Sequence, residues 1–247
     1  MSGKTIARVI IAVLGGIALG GAIQLAIAPR PFLPPLPLPP IITAERGNLP
    51  TGIAAFEERI QSGSEYTLLG SGFLLELPDG DVIGVTTAHS LAGREFAPMV
   101  FTLAGRAEQA ATFSRLYVPR GQPRAGADMT IDYVLLAPDA PPAPAFVLRA
   151  DPRGAPQPGE RVSLFSGLGD GRGGQRILPG VVESVDRNGA WVRMGSLFDP
   201  GLMSGSPVLS QHTGRVVGMT IAMSLRPGAL MIGINPVGAI LRNATSH

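Results

Sequence analysis

The chain has 247 residues, of which 45% are hydrophobic and 15% charged, and its formal net charge is +2. All basic residues except Lys4 are arginines, and no basic run or basic-aromatic stripe occurs, so the composition predicts no nucleic-acid partner. The chain contains no cysteine, which excludes disulfide bonds and thiolate metal sites.

Residues 9–28 are twenty consecutive uncharged and mostly apolar positions. As a helix they would span roughly 30 Å, the hydrocarbon thickness of a bilayer. Lys4 and Arg8 precede the segment, which places the N-terminus in the cytoplasm and the remainder on the periplasmic or extracellular side of the cell membrane. A small-residue pattern at 26–28 resembles a cleavage site, but Pro29 follows it directly and is poorly suited to a peptidase. We therefore expect an uncleaved, single-pass transmembrane signal-anchor at residues 1–28, with a cleaved signal peptide as the alternative.

Gly16 and Gly20 lie four positions apart within this segment. The spacing fits the small-xxx-small pattern by which membrane helices pack closely, so it would allow a homo-oligomer through this face. The alternative is that glycine is simply common in membrane helices.

Residues 29–40 contain seven prolines in twelve positions. Such a stretch favours extended polyproline II structure. We interpret residues 29–48 as a stiff Pro-rich linker that holds a domain away from the membrane. A proline-rich ligand for another protein is the alternative.

The remaining residues, 49–247, read as one domain of about 200 residues, which is long enough to bury a substantial core. Short apolar runs alternate with Gly, Pro, Asp and Asn, as is typical of strands joined by turns. Asp79-Gly80 and Asn188-Gly189 predict tight hairpins. Residues 53–60 and the segment from Asn235-Pro236 to Asn243 are predicted to be helical. The pattern indicates an all-β fold of two barrels or sandwich halves with a short C-terminal helix.

Three histidines are present, and their surroundings differ. His212 lies in a polar turn and His247 is the last residue, so both are predicted to be surface residues. His89 follows the apolar run VIGVTTA, where a strand passes into a loop, and it is the candidate catalytic histidine. The alternative is a structural histidine at a strand end.

No cofactor or metal ion is predicted. No group of His, Asp and Glu has metal-ligand spacing. The glycine-rich stretch 167–174 lacks the Lys-Ser/Thr that follows in a phosphate-binding loop, so it is interpreted as a loop near a substrate cleft.

Four motifs together resemble one family. They are GSGF at 70–73, TTAHS at 86–90, IDYVLL at 131–136 and SGSPV at 204–208. In this order, with intervals of 43 and 72 residues between His89, Asp132 and Ser204, they resemble trypsin-like, chymotrypsin-fold serine peptidases. The bacterial Deg/HtrA-type and glutamyl-endopeptidase-type members are the most similar in motif, although no PDZ-like module follows in this sequence. The resemblance covers about residues 60–243 and implies two six-stranded antiparallel barrels with a short C-terminal helix.

The resemblance implies a role for each residue of a catalytic triad. Ser204 matches the nucleophile and Ser206 a structural position, while His89 matches the base and Asp132 the acid that orients it. The chemistry requires the same set, because a serine hydroxyl needs a neutral histidine and that histidine needs an acceptor to fix its tautomer. Asp128 is the alternative to Asp132, but a carboxylate in an apolar strand needs such a partner more than one in a loop does.

The resemblance also implies an oxyanion hole formed by Leu202, Met203 and Ser204. In the family the residue two positions before the nucleophile is usually glycine, whereas this chain has Leu202. A side chain with a Cβ reaches fewer backbone conformations than glycine does. The sequence therefore leaves the completeness of the hole open.

The substrate pocket is predicted from the same resemblance. Its floor lies about six residues before the nucleophile, at Phe198, or at Leu197 if the loop has an insertion, and the strand residues Thr220, Ile221 and Ala222 line the cleft. An apolar floor implies a preference for small or apolar side chains, whereas the neighbouring Asp199 would reverse that preference.

The expected function is a membrane-anchored serine endopeptidase that cleaves protein or peptide substrates through an acyl-enzyme intermediate. The alternative is a catalytically inactive, peptide-binding protein on the same fold. A structural β-domain unrelated to peptidases is a third reading, and it would require the His, Asp and Ser intervals to be coincidental.

Overall fold

A computed structural model describes residues 49–106, 108–123, 128–169 and 175–245. The predicted anchor, its Gly16 and Gly20, and the linker lie outside the described residues, as do His247 and most of the glycine-rich loop. Within the described ranges, no helix is long and apolar enough to cross a membrane.

The first half of the described chain forms eight strands: β1 (Phe56–Ser62), β2 (Glu65–Glu76), β3 (Val82–Thr86), β4 (Met99–Thr102), β5 (Gln109–Phe113), β6 (Arg115–Leu116), β7 (Val134–Ala137) and β8 (Val147–Arg149). They form one sheet with the order β5-β4-β1-β2-β3-β7-β6, and β8 pairs in parallel with β2. A 3₁₀ turn, His89–Leu91, follows β3, and a second, Pro144–Phe146, precedes β8.

The second half forms six strands and a helix: β9 (Arg161–Gly169), β10 (Gln175–Asp186), β11 (Gly189–Met194), β12 (Pro207–Ser210), β13 (Val216–Arg226), β14 (Ala229–Pro236) and α1 (Val237–Thr245). The strands close into a barrel in the order β10-β11-β14-β13-β12-β9. The chain leaves β14 at Pro236 and enters α1 at the next residue, in agreement with the helix predicted after Asn235-Pro236.

The prediction of a mostly β fold with two barrels and a short C-terminal helix is confirmed. The predicted number of strands is confirmed for the second barrel, which is closed and six-stranded. It is wrong for the first barrel, which is nearly closed: seven of its eight strands form an open path, and β8 pairs with β2 off that path.

The helix predicted at residues 53–60 is also wrong, because β1 occupies most of it. The segment contains Ala54, Ala55, Glu57 and Glu58, which favour a helix only weakly, by tenths of a kcal/mol. Pairing with β2 on one edge and β4 on the other satisfies its backbone hydrogen bonds, and these tertiary contacts determine the conformation.

The largest core cluster joins the two barrels. Phe73 and Leu75 of β2 belong to this shared cluster, whereas Leu74 between them packs inside the first barrel. Both faces of β2 are therefore buried, which explains its continuous apolar run. The shared cluster also contains Phe165, Met219 and Ile221 of the second barrel and Val237 and Ile240 of α1. The candidate catalytic residues lie beside this junction.

Candidate active site

His89 and Asp132 form a hydrogen-bonded pair. His89 Nδ1 lies 2.8 Å from Asp132 Oδ2. Asp132 is completely buried, whereas the His89 side chain is 34% exposed. Asp132 does not belong to the strand in which the sequence analysis placed it, but to the turn that precedes β7.

The Asp132 carboxylate receives two further hydrogen bonds, from backbone N–H groups. The N–H of Ala88 lies 2.8 Å and that of His89 3.0 Å from Oδ1. A carboxylate only accepts hydrogen bonds, so it favours a proton on Nδ1, and in the neutral ring Nε2 then carries the lone pair. This is the tautomer that a histidine base requires.

Asp128, the alternative acid, has a local role instead. Its Oδ1 accepts hydrogen bonds from the backbone N–H of Thr130, at 2.9 Å, and from the Thr130 hydroxyl, at 2.7 Å. These contacts stabilise the turn that leads to Asp132, and they make no use of the His89 ring.

The loop that carries Ser204 packs against the strands of the first barrel. The backbone N–H of Ser71 donates to Ser204 O at 2.9 Å. Gly205 has φ of +90°, and a Cβ there would lie only 1.8 Å from Ser71 O and 2.9 Å from the hydroxyl oxygen of Thr86. Only glycine fits at this contact. This contact places Ser204 next to Thr86, the last residue of β3. Thr86 precedes His89 by three positions in the chain.

The Ser204 hydroxyl makes no hydrogen bond to His89 or to any other described residue. Ser204 is partly exposed. Catalytic hydrogen bonds in peptidases without substrate are often long and tighten only in the complex.

Two backbone N–H groups of this loop, those of Leu202 and Ser204, donate no hydrogen bond to any described residue. Their neighbours are all paired: Gly201 donates to Asp199 Oδ1 (2.9 Å), Met203 to Pro200 O (3.1 Å) and Gly205 to Thr220 O (2.9 Å). Of the three residues predicted to form the oxyanion hole, Met203 thus has its N–H occupied within a turn. The free donors belong to the nucleophile candidate and to the residue two positions before it.

Leu202 is the one described non-glycine residue with a positive φ, +59°. An L-residue pays roughly 1–2 kcal/mol for this left-handed conformation, which glycine adopts without penalty. The loop therefore takes the glycine-type conformation although the residue is leucine. The Leu202 side chain is 47% exposed, so its Cβ meets little obstruction beyond the local backbone.

The predicted pocket residues lie at the second barrel. Phe198 is half-buried against the interior cluster of that barrel, and the Arg176 guanidinium lies 5.2 Å from the centre of its ring. Leu197 is 67% exposed. Phe198 rather than Leu197 therefore contacts the barrel interior.

The strand residues differ in the direction of their side chains. Thr220 pairs with Ile234, which belongs to the interior cluster, so its side chain points into the second barrel. Its hydroxyl is buried without a hydrogen-bond partner among the described residues. Ile221 is buried in the shared core, and Ala222 is half-buried against it.

Residues 70–219 match the family model of the trypsin-like peptidase domain. The match covers more than half of the chain. The chain belongs to the trypsin-like peptidase family. The resemblance found in the four sequence motifs is thereby confirmed, and no PDZ module is evident in the described part of this trypsin-like chain. No curated protein sequence matches it significantly.

Solved structures of serine proteases share its fold. A serine endoprotease from Yersinia pestis superposes with a TM-score of 0.50 at 18% identity, over 78% of this chain and 61% of that protein. An HtrA-type protease with a tripeptide gives 0.51 at 16% identity, over 76% and 58%. A thermostable serine protease from an extremophilic microorganism gives 0.54 at 12% identity, over 78% and 95%. At these identities the similarity shows the fold alone, and this trypsin-like chain spans about three fifths of the first two proteins.

The sequence analysis missed a buried carboxyl group beside the loop that carries Ser204 in this trypsin-like domain. Glu58 of β1 is fully buried and makes no ion pair with a described residue. A Cβ at Gly70 would lie 3.1 Å from both Glu58 Oε2 and Ser204 O, so the carboxyl group and the loop flank the same glycine. Glu58 fell in the segment that was predicted to be helical, which hid its position.

A neutral Glu58 fits the hydrogen bonds around it. The Thr86 hydroxyl oxygen lies 2.7 Å from Glu58 Oε2 and 2.9 Å from Ser71 O, but it has a single proton. If Thr86 donates to Ser71 O, the proton between Thr86 and Glu58 comes from the carboxyl group. Burial raises the pKa of Glu58 to about 8, and its side-chain contacts with Thr86 and Ser90 lower it by less.

The raised pKa predicts how stability depends on pH. The folded protein keeps Glu58 protonated up to about pH 8, whereas the unfolded chain releases the proton near its ordinary value of 4.5. The contribution of Glu58 to the free energy of unfolding is therefore fully present below pH 4.5 and falls as pH rises to 8. We expect Glu58→Gln to remove this fall, so that its stability relative to wild type improves by about 1 kcal/mol per pH unit across the window.

Denaturant unfolding at several pH values between 5 and 8 measures this difference. Glu65→Gln is the control, because Glu65 is exposed in the folded protein, and it should leave the pH slope unchanged. Parallel stability curves for wild type and Glu58→Gln would show that Glu58 is ionised in the folded state.

Proposed function

We propose that this chain is a serine endopeptidase that hydrolyses peptide bonds of protein or peptide substrates through Ser204, His89 and Asp132. One observation carries the proposal: the loop beside the His89–Asp132 pair presents two unpaired N–H groups, one of them on Ser204 itself. Both N–H groups belong to residues that are partly exposed, so they are open to an acceptor that a substrate supplies.

The proposed reaction follows the usual sequence for this triad. His89 Nε2 takes the proton of Ser204 as Oγ attacks the scissile carbonyl carbon, and Asp132 holds the resulting imidazolium through Nδ1–H. The N–H groups of Leu202 and Ser204 stabilise the tetrahedral oxyanion. His89 then gives its proton to the leaving amine, and water hydrolyses the acyl-enzyme by the same steps. The mechanism uses no cofactor.

The substrate preference follows from the same pocket residues. Phe198 supplies an apolar surface at the interior of the second barrel, and the buried Thr220 hydroxyl points into that barrel. A small or apolar side chain before the scissile bond suits this surface, because a charged group there would lose its hydration.

Two serines in the loop give a direct test. We expect Ser204→Ala to lower turnover by about 10⁴-fold, because loss of a triad member leaves only binding and oxyanion stabilisation. Ser206→Ala should cost less than about tenfold, since the Ser206 hydroxyl makes a single long contact, 3.4 Å from the N–H of Gly167. Peptide hydrolysis and fluorophosphonate labelling of the full-length protein measure both effects. Activity that survives the first substitution and is lost with the second would refute the assignment of Ser204.

A second candidate function is a peptide-binding protein without activity. It is favoured by the missing hydrogen bond between Ser204 and His89 and by the strained leucine in the oxyanion loop. Both candidate functions require a cleft that binds a peptide. They differ in whether the N–H of Leu202 is directed at an oxyanion.

Leu202→Gly separates the two candidates. We expect wild type to react covalently with a fluorophosphonate in a way that requires His89 and Ser204. Glycine at position 202 should change the labelling rate by less than about tenfold, because the loop already has the glycine-type conformation. A wild type that is inert, with labelling restored by Leu202→Gly, would instead identify the peptide-binding protein, since one missing oxyanion donor costs about 10²–10³-fold.

Membrane attachment is a separate proposal, which rests on the twenty apolar residues 9–28 and on Pro29. We expect the full-length protein to sediment with membranes and to resist alkaline extraction, with residues 41–247 open to protease added from outside. N-terminal sequencing of the mature protein checks the anchor directly. A mature N-terminus at Pro29 or beyond would show that the segment is a cleaved signal peptide.

A further inference from the structure

Ser71 contacts the nucleophile loop at two points. Its backbone N–H donates to Ser204 O at 2.9 Å, and its hydroxyl donates to Leu202 O at 2.9 Å. Ser71 is completely buried. One residue of the first barrel therefore holds the carbonyl groups on both sides of Met203.

The hydroxyl contact acts on the strained residue of the loop. The carbonyl of Leu202 belongs to the peptide group that follows it, and the N–H of Leu202 belongs to the peptide group that precedes it. The following group is held at both of its polar atoms, because Leu202 O accepts from Ser71 and the N–H of Met203 donates to Pro200 O at 3.1 Å. On the other side of Leu202, the N–H of Gly201 donates to Asp199 Oδ1 at 2.9 Å. The backbone is therefore held on both sides of Leu202, and these two anchors keep its torsions in the left-handed region. Without the Ser71 hydroxyl, the preference of leucine for negative φ is unopposed.

Ser71 itself is held by its neighbours. The Thr86 hydroxyl donates to Ser71 O at 2.9 Å. Gly167 lies against the side chain, since a Cβ at that position would be 2.6 Å from Ser71 Oγ. The hydroxyl therefore has little freedom to turn away from Leu202 O, and the contact is formed before any substrate binds.

We infer that Ser71 is a positioning residue, which holds the Leu202 peptide in the conformation that presents an oxyanion donor. The effect on catalysis rests on the proposed peptidase function. The effect on the conformation of the loop rests on the observed contacts alone. It assigns to the first barrel a part in building the oxyanion hole, whose donors all belong to the second half of the chain.

A double-mutant cycle between Ser71→Ala and Leu202→Gly tests this inference in the full-length protein. With Leu202 present, Ser71→Ala should lower kcat for peptide hydrolysis by about 10- to 100-fold and leave KM within about twofold, because an oxyanion donor acts in the transition state. In the Leu202→Gly background the same substitution should cost less than about threefold, since glycine needs no support at positive φ. Ser163→Ala, which removes another buried hydroxyl, is the matched control and should show the same small effect in both backgrounds.

Thermal unfolding gives a second readout that needs no activity. Leu202→Gly should raise Tm by about 2–4 °C when Ser71 is present, because the strain is released. It should leave Tm unchanged in the Ser71→Ala background, where the leucine has already relaxed. Equal effects of Ser71→Ala in both backgrounds, in kcat and in Tm, would overturn the inference. An inert wild type that still shows the Tm coupling would refute the peptidase activity alone and leave Ser71 as the residue that holds the loop.

Discussion

The burial of Asp132 is the constraint on which the arrangement of the site depends. A carboxylate without solvent contact costs several kcal/mol unless its oxygens have hydrogen-bond donors. Asp132 obtains two of them from the backbone of the turn that carries His89 and a third from the ring of His89. The orientation of the imidazole is therefore tied to the path of the backbone. The carboxylate has these hydrogen-bond partners only if the turn before β7 places Asp132 directly against Ala88 and His89, just after β3.

Glu58 and Asp132 are equally buried carboxyl groups with different neighbours. Asp132 accepts hydrogen bonds from two backbone N–H groups and lies against the ring of His89. Burial raises the pKa of Glu58 to about 8, and the hydroxyls of Thr86 and Ser90 lower it by less. A neutral Glu58 brings no negative charge to the loop that carries Ser204, with which it flanks Gly70.

The loop that carries Ser204 contains two positions of positive φ, Leu202 and Gly205, with different requirements. Gly205 lies against Ser71 O so closely that no side chain fits. Leu202 points toward solvent, so the cost of its conformation is confined to its own backbone. This difference explains how leucine can stand where related peptidases usually have glycine, while the glycine after Ser204 has no substitute. The strain that remains is balanced by hydrogen bonds from outside the loop.

Local patterns in the sequence were sufficient for much of the fold. Apolar runs of strand length predicted most strands, and Pro236 immediately precedes the C-terminal helix. Asp79-Gly80 lies in one predicted turn, and Asn188 ends the other, with Gly189 as the first residue of β11. The order and spacing of the motifs around His89, Asp132 and Ser204 were sufficient for the family. The strands and turns depend on residues that are close in sequence. The family motifs are short stretches that can be recognised before their positions in the fold are known.

Other features were decided only by the tertiary structure. Most of the segment 53–60 is a strand because β2 pairs with one of its edges and β4 with the other. β4 lies some forty residues later in the chain. The conformation of Leu202 depends on the hydroxyl of Ser71, 131 positions earlier in the chain. The raised pKa of Glu58 depends on its burial, which requires β3 and the turn at His89 to pack over β1 and bring Thr86 and Ser90 against the carboxyl group. No local pattern encodes such contacts, because a hydrogen bond or a burial between distant residues exists only once the chain has brought them together.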